Sequence, residues 1–245
     1  MDMNGQLKSL LRKALNRLHL DLTKNLRYDR LSKRIISLHL KPDSTCIDVG
    51  AHRGEILDLF LQFAPKGHHL AFEPIPSLYN ALEKKYSGRC RVYPFVLGDR
   101  IGKTPFQLVR NAPAYSGILK RSYSIRHPEV EEIEVEMATL DSVVNEEENI
   151  DFMKIDVEGA ELQVLLGARS TLCRCRPNII FECGLGASDY YGTNPDDLYD
   201  FLTGTVGLKI STLKGWLTDS GNPLTRDEFR RHFERNSEYY FFAHP

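Results

Sequence analysis

The sequence lacks several features that would assign it to other classes of protein. No apolar run approaches the roughly 20 residues that a membrane-spanning helix needs, and the charged N-terminus lacks the apolar core of a secretory signal. The 245 residues include 32 basic and 33 acidic side chains, so no strong net charge attracts nucleic acid or an anionic membrane. Without repeats or low-complexity tracts, the chain is expected to be a cytoplasmic globular protein that has no nucleic-acid partner and no stable membrane insertion.

Cysteine is scarce and follows no pattern. The five cysteines are an odd number, and Cys46 and Cys183 lie in apolar runs typical of reduced core thiols. Cys173 and Cys175 form a C-x-C without a second pair, which does not favour a metal site. We therefore predict neither a disulfide framework nor a metal centre.

The chain does contain a predicted strand, glycine turn and helix in direct succession. The apolar run from Cys46 to Val49 predicts a buried strand, and a helical pattern of apolar residues follows and stops at Pro65. Gly50 allows a sharp turn and the close approach of a ligand, and Gly54 leaves room where the helix packs on the strand. The N-terminus of the helix offers N–H groups to an anionic group.

This turn differs from the dinucleotide fingerprint G-x-G-x-x-G, because His52 occupies the place of the second glycine. The next predicted strand ends at Glu73, where a carboxylate can accept hydrogen bonds from both hydroxyls of a ribose. An adenosine with a carboxylate-bearing tail fits both the helix N-terminus after the glycine turn and the carboxylate of Glu73, and S-adenosylmethionine is such a ligand. An ordinary α/β turn with a solvated Glu73 is the alternative.

Six segments in a fixed order carry a more specific resemblance. They are residues 47–51, 72–74, 97–99, 139–142, 153–161 and 176–182. These segments resemble the FkbM-type methyltransferases, a class I S-adenosylmethionine-dependent family. The resemblance implies methyl transfer to a hydroxyl of a small-molecule, glycan or lipid acceptor, such as a sugar, glycolipid or polyketide.

The order of the predicted elements favours an α/β fold with a doubly wound, mostly parallel Rossmann-like sheet of about seven strands and a terminal antiparallel pair. We predict a methyltransferase domain over residues 42–245. Residues 1–41 form a predicted extension of two amphipathic helices, which pack on the sheet or form the contact of a homodimer.

Residues 103–137 interrupt the alternation of strands and helices. Two segments with alternating apolar residues predict an inserted β-hairpin, and turn-forming residues lie between them. We predict that residues 111–130 cover the acceptor, with Tyr115, Arg126 and His127 as contacts. A mobile surface loop is the alternative.

Acidic residues lie at or near the ends of several predicted strands, where an open α/β sheet binds its ligand. Asp156, Glu158 and Glu182 are the predicted catalytic residues, and one of them would act as a general base with a raised pKa. A divalent cation between them is the disfavoured alternative. The predicted cofactor-binding residues are Asp48, Gly50, Ala51, His52, Gly54, Glu73, Pro74, Gly98 and Asp99, the last of which would reach the adenine or simply form a turn.

Other interpretations fit parts of the same pattern. A nicotinamide-dependent oxidoreductase is disfavoured by the missing glycine and by the absence of Tyr-x-x-x-Lys near the fourth strand. A non-catalytic nucleoside-binding module would leave the acidic strand ends unexplained. Glu158 and Glu161 have a structural alternative as caps of the next helix, and Lys154 has one as a salt-bridge partner.

Overall fold

A computed structural model describes residues 23–123, 125–218 and 222–245 of the chain. Its strands are β1 (Cys46–Val49), β2 (His69–Phe72), β3 (Cys90–Tyr93), β4 (Phe95–Leu97), β5 (Gly102–Val109), β6 (Val130–Ala138), β7 (Phe152–Ile155), β8 (Asn178–Glu182), β9 (Lys209–Thr212) and β10 (Tyr240–His244). Its α-helices are α1 (Lys24–His39), α2 (Glu55–Phe63), α3 (Pro76–Tyr86), α4 (Leu140–Val143), α5 (Glu161–Leu166), α6 (Arg169–Cys175), α7 (Pro195–Asp200), α8 (Leu213–Thr218) and α9 (Arg226–Glu234).

The central sheet has seven strands in the order β3-β2-β1-β7-β8-β10-β9. Strand β10 is antiparallel to both of its neighbours, and the remaining pairs are parallel. The predicted doubly wound sheet with a terminal antiparallel pair is therefore confirmed. The carboxyl ends of β1, β2, β7 and β8 meet at one edge, which is where such sheets bind their ligands.

Both faces of the central sheet are covered, which explains why its short strands are almost continuously apolar. Side chains of α1, α2 and α3 pack on one face together with Phe152 and Ile180. Side chains of α5, α6, α7 and α9 pack on the other face together with Met153 and Ile179. The sequence from Asp227 to Phe233 predicts a short surface helix, but α9 buries Phe229 in this layer and so belongs to the core as well as to the surface.

Helix α1 corresponds to the second of the two predicted N-terminal helices. The hydroxyl of Thr23 caps it by accepting a hydrogen bond from the amide of Leu26, at 3.2 Å. Its apolar face is buried within the chain, including Tyr28, Ile35 and Ile36. The first predicted helix lies outside the described residues, and the homodimer contact remains a prediction. Within the described ranges, no helix is long and apolar enough to cross a membrane.

The sequence from residue 91 to 97 predicts one strand, the third of the chain, but these residues form two strands in the structure. Pro94 separates β3 from β4, because proline has no N–H to donate to a sheet ladder. Strand β3 stays in the central sheet, whereas β4 joins a second sheet with the order β4-β6-β5. The prediction of one continuous strand is therefore wrong, and the residues after Leu97 follow the second sheet.

The predicted inserted hairpin is confirmed. Strands β5 and β6 pair antiparallel from Gly102 opposite Met137 to Val109 opposite Val130. The segment between them folds back onto β5, where the amide of Gln107 donates to the carbonyl of Gly117 at 2.8 Å. This fold-back brings part of the insertion to the carboxyl edge of the central sheet, as the site below shows.

Candidate active site

Strand alternation gathers polar side chains at one corner of the central sheet. Lys154 of β7 is the register partner of Asp48 of β1, and Tyr240 of β10 is the register partner of Glu182 of β8. Side chains two residues apart point to the same face. All four therefore point to the face that α1 and α2 cover, at the carboxyl edge, and Asp156 follows β7 beside them.

The glycine turn between β1 and α2 is held by backbone contacts. Gly50 has φ +83°, and a Cβ on it would overlap the carbonyl oxygen of Asp156. The amides of Gly50 and Ala51 both donate to the carbonyl of Phe72, at 3.0 and 3.1 Å. Gly50 is thus required for the approach of the neighbouring turn as well as for its left-handed conformation.

Gly54 has a different packing role from the predicted one. It adopts φ +76° as the N-cap of α2, and a Cβ on it would collide with Tyr86 and Leu82 of α3. The glycine therefore makes room for another helix rather than for β1. Because glycine has no side chain, no side-chain hydrogen bond caps the N-terminus of α2.

Glu73 closes the glycine turn from the end of β2. It is only 3% exposed, and its carboxylate accepts hydrogen bonds from the amides of His52 at 2.8 Å and Ile75 at 2.9 Å. Burial raises the pKa of Glu73 to about 7, against the opposing effect of those two amides. Each carboxylate oxygen has a further lone pair, so Glu73 can also accept hydrogen bonds from a ligand.

Asp48 presents an unsatisfied buried acceptor at the same corner. It is 2% exposed, and its Oδ2 receives no hydrogen bond from any residue that the structure describes. Burial raises the pKa of Asp48 to about 7, and the charges of Asp156 and Glu73 add to this effect while Lys154 opposes it. An oxygen in this position suits a donor group of a ligand, such as the ammonium of S-adenosylmethionine.

Gly98 and Asp99 do not lie where their predicted role requires. They follow β4 in the three-stranded sheet, and the backbone of Gly98 lies against Gly167 at the end of α5. The Asp99 carboxylate is 3.5 Å from Arg100, and both side chains are exposed. The expected contact with adenine was based on a strand end of the central sheet, and Tyr93 occupies that end instead.

The three predicted catalytic carboxylates come together in the structure. Asp156, Glu158 and Glu182 each offer an oxygen within 4.8 Å of the others. The Oδ2 atom of Asp156 accepts hydrogen bonds from Lys154 Nζ at 3.0 Å and from the Tyr240 hydroxyl at 2.5 Å. The salt-bridge alternative for Lys154 is thus realised inside the candidate site.

The environments of Asp156 and Glu182 separate their pKa values. Burial raises the pKa of Glu182 well above its ordinary range, and the charges of Asp156 and Glu161 add to this. Burial also acts on Asp156, but Lys154 and the Tyr240 hydroxyl outweigh it and hold the pKa of Asp156 below its ordinary value. When the pair holds one proton, Glu182 is therefore the favoured site for it and Asp156 is the favoured anion, a division typical of acid–base sites.

Glu158 connects this cluster to the insertion. Its backbone has φ +60°, which is unusual for a residue other than glycine and occurs where the surroundings hold it. Its carboxylate forms an ion pair with Arg121, whose side chain is only 8% exposed. Arg121 also donates to the carbonyl of Gly186 at 2.8 Å, and its guanidinium lies 5.6 Å from the ring centre of Tyr115.

Sequence reasoning therefore identified the insertion, but it did not identify Arg121 as the residue that joins the insertion to the acidic cluster. Of the three predicted contacts, Tyr115 lies beside Arg121, whereas Arg126 and His127 are exposed at the surface. Arg121 differs from Arg126 in sequence only by its position, and no pattern distinguishes the two. The fold-back of the segment onto β5 decides which arginine reaches Glu158.

Glu161 has the capping role that was its alternative. It is buried, and its Oε1 accepts hydrogen bonds from the amides of Val157 at 3.0 Å and Gly159 at 3.2 Å. Burial raises the pKa of Glu161 to about 7, although these amides oppose the effect. Glu161 thus supports the turn that carries Asp156 and Glu158.

The sheet order, the glycine turn and the acidic strand ends together define a Rossmann-like methyltransferase domain. The model of the Methyltransferase FkbM domain matches residues 48–206, a range that contains the glycine turn, the insertion and the acid cluster. The chain belongs to this family, as the resemblance of its six segments predicts. The family implies S-adenosylmethionine as the methyl donor.

Individual relatives match parts of the chain. 2-O-methyltransferase NoeI of Sinorhizobium fredii is 28% identical over 162 residues, which cover 60% of this chain and 66% of NoeI. AMB antimetabolite synthetase AmbE of Pseudomonas aeruginosa is 28% identical over 164 residues, which cover 52% of this chain and 8% of AmbE. The chain thus spans just under two thirds of NoeI and a small part of AmbE.

A solved structure supports the fold. The structure of Methyltransferase FkbM from Methylobacillus flagellatus KT aligns with a TM-score of 0.53 at 15% sequence identity. The alignment covers 84% of this chain and 44% of that chain. At this level of identity the likeness concerns the arrangement of strands and helices alone.

Proposed function

We propose that this methyltransferase transfers a methyl group from S-adenosylmethionine to a hydroxyl oxygen of a sugar-like, glycolipid or polyketide-like small molecule. The observation that carries the proposal is the pairing of Glu182 with ionised Asp156 beside the glycine turn. A carboxylate whose pKa is raised is a stronger base than an ordinary carboxylate, which suits the task of taking a proton from a hydroxyl. The name of NoeI, a 2-O-methyltransferase, supports oxygen as the acceptor atom.

The donor side of the proposed site consists of the glycine turn and two buried acids. Glu73 would accept hydrogen bonds from the ribose hydroxyls, and the unsatisfied Oδ2 of Asp48 would accept one from the ammonium. The first turn of α2 would bind the carboxylate with its N–H groups. S-adenosylmethionine supplies a methyl group whose bond to sulfur breaks as its bond to the acceptor oxygen forms, leaving S-adenosylhomocysteine.

On the acceptor side, Glu182 in its ionised form takes the proton that the acceptor oxygen loses. Its ionised fraction grows as pH rises through its raised pKa, so the rate should rise with pH over that range. Asp156 stays ionised and orients the acceptor hydroxyl. The ion pair of Glu158 with Arg121 closes the insertion over the site, which excludes water and holds the acceptor in place.

The same contacts favour a metal-free site. Lys154 lies 3.0 Å from the Asp156 carboxylate, and Arg121 pairs with Glu158. Two protein cations thus already offset charge that a divalent ion would otherwise offset. The proton shared between Asp156 and Glu182 reduces the remaining negative charge further.

The proposal can be tested with methyl-labelled S-adenosylmethionine and a panel of hydroxyl-bearing glycosides, glycolipids and polyketide-like compounds. Once an acceptor is found, Glu182→Gln should lower kcat about 100-fold or more and leave the calorimetric affinity for S-adenosylhomocysteine unchanged. Glu146→Gln is the matched control, since Glu146 is exposed on a distant loop.

Three results would contradict parts of the proposal. A near-wild-type rate for Glu182→Gln would place the base elsewhere in the site. Failure of the chain to bind S-adenosylhomocysteine would remove the assignment of the donor residues. Activity lost with a chelator and restored by magnesium would overturn the metal-free version.

A further inference from the structure

We propose that Tyr240 is a positioning residue, whose hydroxyl acts together with Lys154 to hold Asp156 as the ionised member of the carboxylate pair and so leaves the proton on Glu182. Sequence patterns gave no role to Tyr240, which lies outside the residues that the family model matches. The catalytic meaning of this proposal rests on the proposed function. The contacts that carry it do not depend on the identity of the acceptor.

The position of Tyr240 follows from the antiparallel strand at the end of the fold. Strand β10 begins at the carboxyl edge with Tyr240, directly opposite Glu182 of β8. The ring packs over Lys154, whose Nζ lies 4.5 Å from the ring centre. The hydroxyl then reaches across to Asp156 Oδ2 at 2.5 Å. One side chain thus contacts two of the charged groups and pairs in register with a third.

Two donors converge on a single oxygen of Asp156. Lys154 Nζ lies 3.0 Å from the same Oδ2 that accepts the Tyr240 hydroxyl. Lys154 is 5% exposed, so its charge acts in a poorly solvated environment where hydrogen bonds to charged groups are strong. These two donors favour the ionised form of Asp156 and fix the orientation of its carboxylate.

Tyr240 can serve as a donor over a wide range of pH. Burial raises the pKa of the Tyr240 hydroxyl well above its ordinary range, and the charges of Asp156 and Glu182 add to this. The hydroxyl therefore keeps its proton and donates it in a hydrogen bond. This distinguishes a positioning role from that of an acid or base.

Several charged groups face Asp156, and the consequence of removing one donor depends on all of them. They are Asp48 on β1, Lys154 on β7, Glu158 in the following turn, Glu161 on α5, Glu182 on β8 and Tyr240 on β10. Lys154, Tyr240 and the hydrogen bond from Glu182 favour the ionised Asp156 carboxylate. Without the hydroxyl, the ionisation of Asp156 requires a higher pH, and the combined titration of the pair moves upward.

The test is a titration of the complete chain with ¹³C-labelled Asp and Glu carboxyl groups, followed by NMR. Tyr240→Phe removes the hydroxyl and keeps the ring over Lys154. We expect the titration of the pair, assigned with Asp156→Asn and Glu182→Gln, to move upward by about one pH unit. Tyr239→Phe is the matched control, because the neighbouring hydroxyl bonds Asn25 instead.

Lys154→Met provides a second arm, which should move the same titration upward by at least as much. Calorimetry with S-adenosylhomocysteine verifies that each variant is folded. An unchanged titration in either folded variant, or an equal shift in Tyr239→Phe, would overturn the positioning role. If the shifts occur but no hydroxyl acceptor is ever methylated, the proposed function fails while the positioning role stands.

Discussion

Two turns meet at the carboxyl edge of the sheet, and they are held in different ways. The glycine turn after β1 is fixed by backbone hydrogen bonds to Phe72 and by the carboxylate of Glu73, all of them close to the edge of the sheet. The acidic turn after β7 is supported locally by Glu161 and is also held by side chains from remote elements, with Arg121 from the insertion and Tyr240 from the last strand. The proposed donor side and the proposed acceptor side thus rest on different kinds of contact.

This difference separates a turn suited to one fixed ligand from a turn whose interactions can change with pH and with the group that binds. Backbone contacts around a glycine do not depend on side-chain charge, so the glycine turn is suited to one fixed ligand. Ion pairs and proton sharing around Asp156 respond to pH and to any charged or hydroxyl-bearing group that enters. Substitutions in the first turn should therefore affect folding and donor affinity, and those in the second should affect acceptor chemistry.

Gly50→Ala should have the largest effect on stability, because Gly50 is where the glycine turn contacts the acidic turn. Its Cβ would overlap the Asp156 carbonyl, and φ +83° is strained for alanine. We expect a loss of about 3 kcal/mol or more in the free energy of unfolding, measured by urea denaturation.

Gly88→Ala is the control for strain alone. Gly88 has φ +71°, and nothing lies within 4 Å of an added Cβ, so the expected loss is roughly 1–2 kcal/mol. Equal losses in the free energy of unfolding for Gly50→Ala and Gly88→Ala would show that the contact between the two turns contributes nothing to stability.

The same contrast explains which predictions from the sequence succeeded. The predicted bounds of β1 and the predicted end of β2 at Glu73 agree with the structure because each strand is a short apolar run ended by turn formers or acids. The place of Glu73 at the end of β2 is a local property, whereas its role toward a ligand stays a prediction. These features depend on residues adjacent in the sequence, which pattern analysis can detect.

The features that sequence reasoning missed depend on distant contacts. Arg121 meets a residue 37 positions away on another element, and Tyr240 meets Asp156 across 84 positions. The break at Pro94 sends Asp99 to a second sheet, which no apolar pattern indicates. Pairings of this kind follow from the packing of the complete fold, and neither composition nor spacing specifies them.

Glu73→Ala tests the contribution of the glycine turn to the binding of the methyl donor. Removal of the carboxylate takes away the proposed ribose contact and leaves the amides of His52 and Ile75 without their acceptor. We expect the affinity for S-adenosylhomocysteine to fall by about 1.5–3 kcal/mol in titration calorimetry. Glu83→Ala, an exposed change on α3, should leave it unchanged. An unaltered affinity in Glu73→Ala would remove this residue from the donor site.

The pH dependence of stability provides a third test, centred on Asp48. Burial raises the pKa of Asp48 to about 7 in the folded chain, while an unfolded Asp titrates near 3.9. Between these values the folded state holds more protons, so this group makes the free energy of unfolding fall as pH rises. Asp48→Asn should reduce that fall by on the order of 2–3 kcal/mol between about pH 4 and 7.

Urea unfolding of the ligand-free chain at several pH values measures this change. Asp99→Asn is the control, since its carboxylate is exposed beside Arg100, and the pH dependence should remain as in the wild type. A profile for Asp48→Asn that matches the wild type would show that Asp48 keeps its charge in the folded state.

Arg121→Gln should produce the smallest effect and the one most specific to the acceptor side. The variant removes the ion pair with Glu158 but can retain a hydrogen bond toward Gly186, so the insertion stays folded while its hold on the acidic turn weakens. With an identified acceptor, we expect a roughly fivefold fall in kcat/KM, about 1 kcal/mol, at unchanged affinity for S-adenosylhomocysteine. Arg126→Gln changes an exposed arginine of the same loop and should leave both values unchanged. If Arg121→Gln instead weakened donor binding as much as catalysis, the two turns would form one coupled unit, and the division between donor and acceptor sides would have to be abandoned.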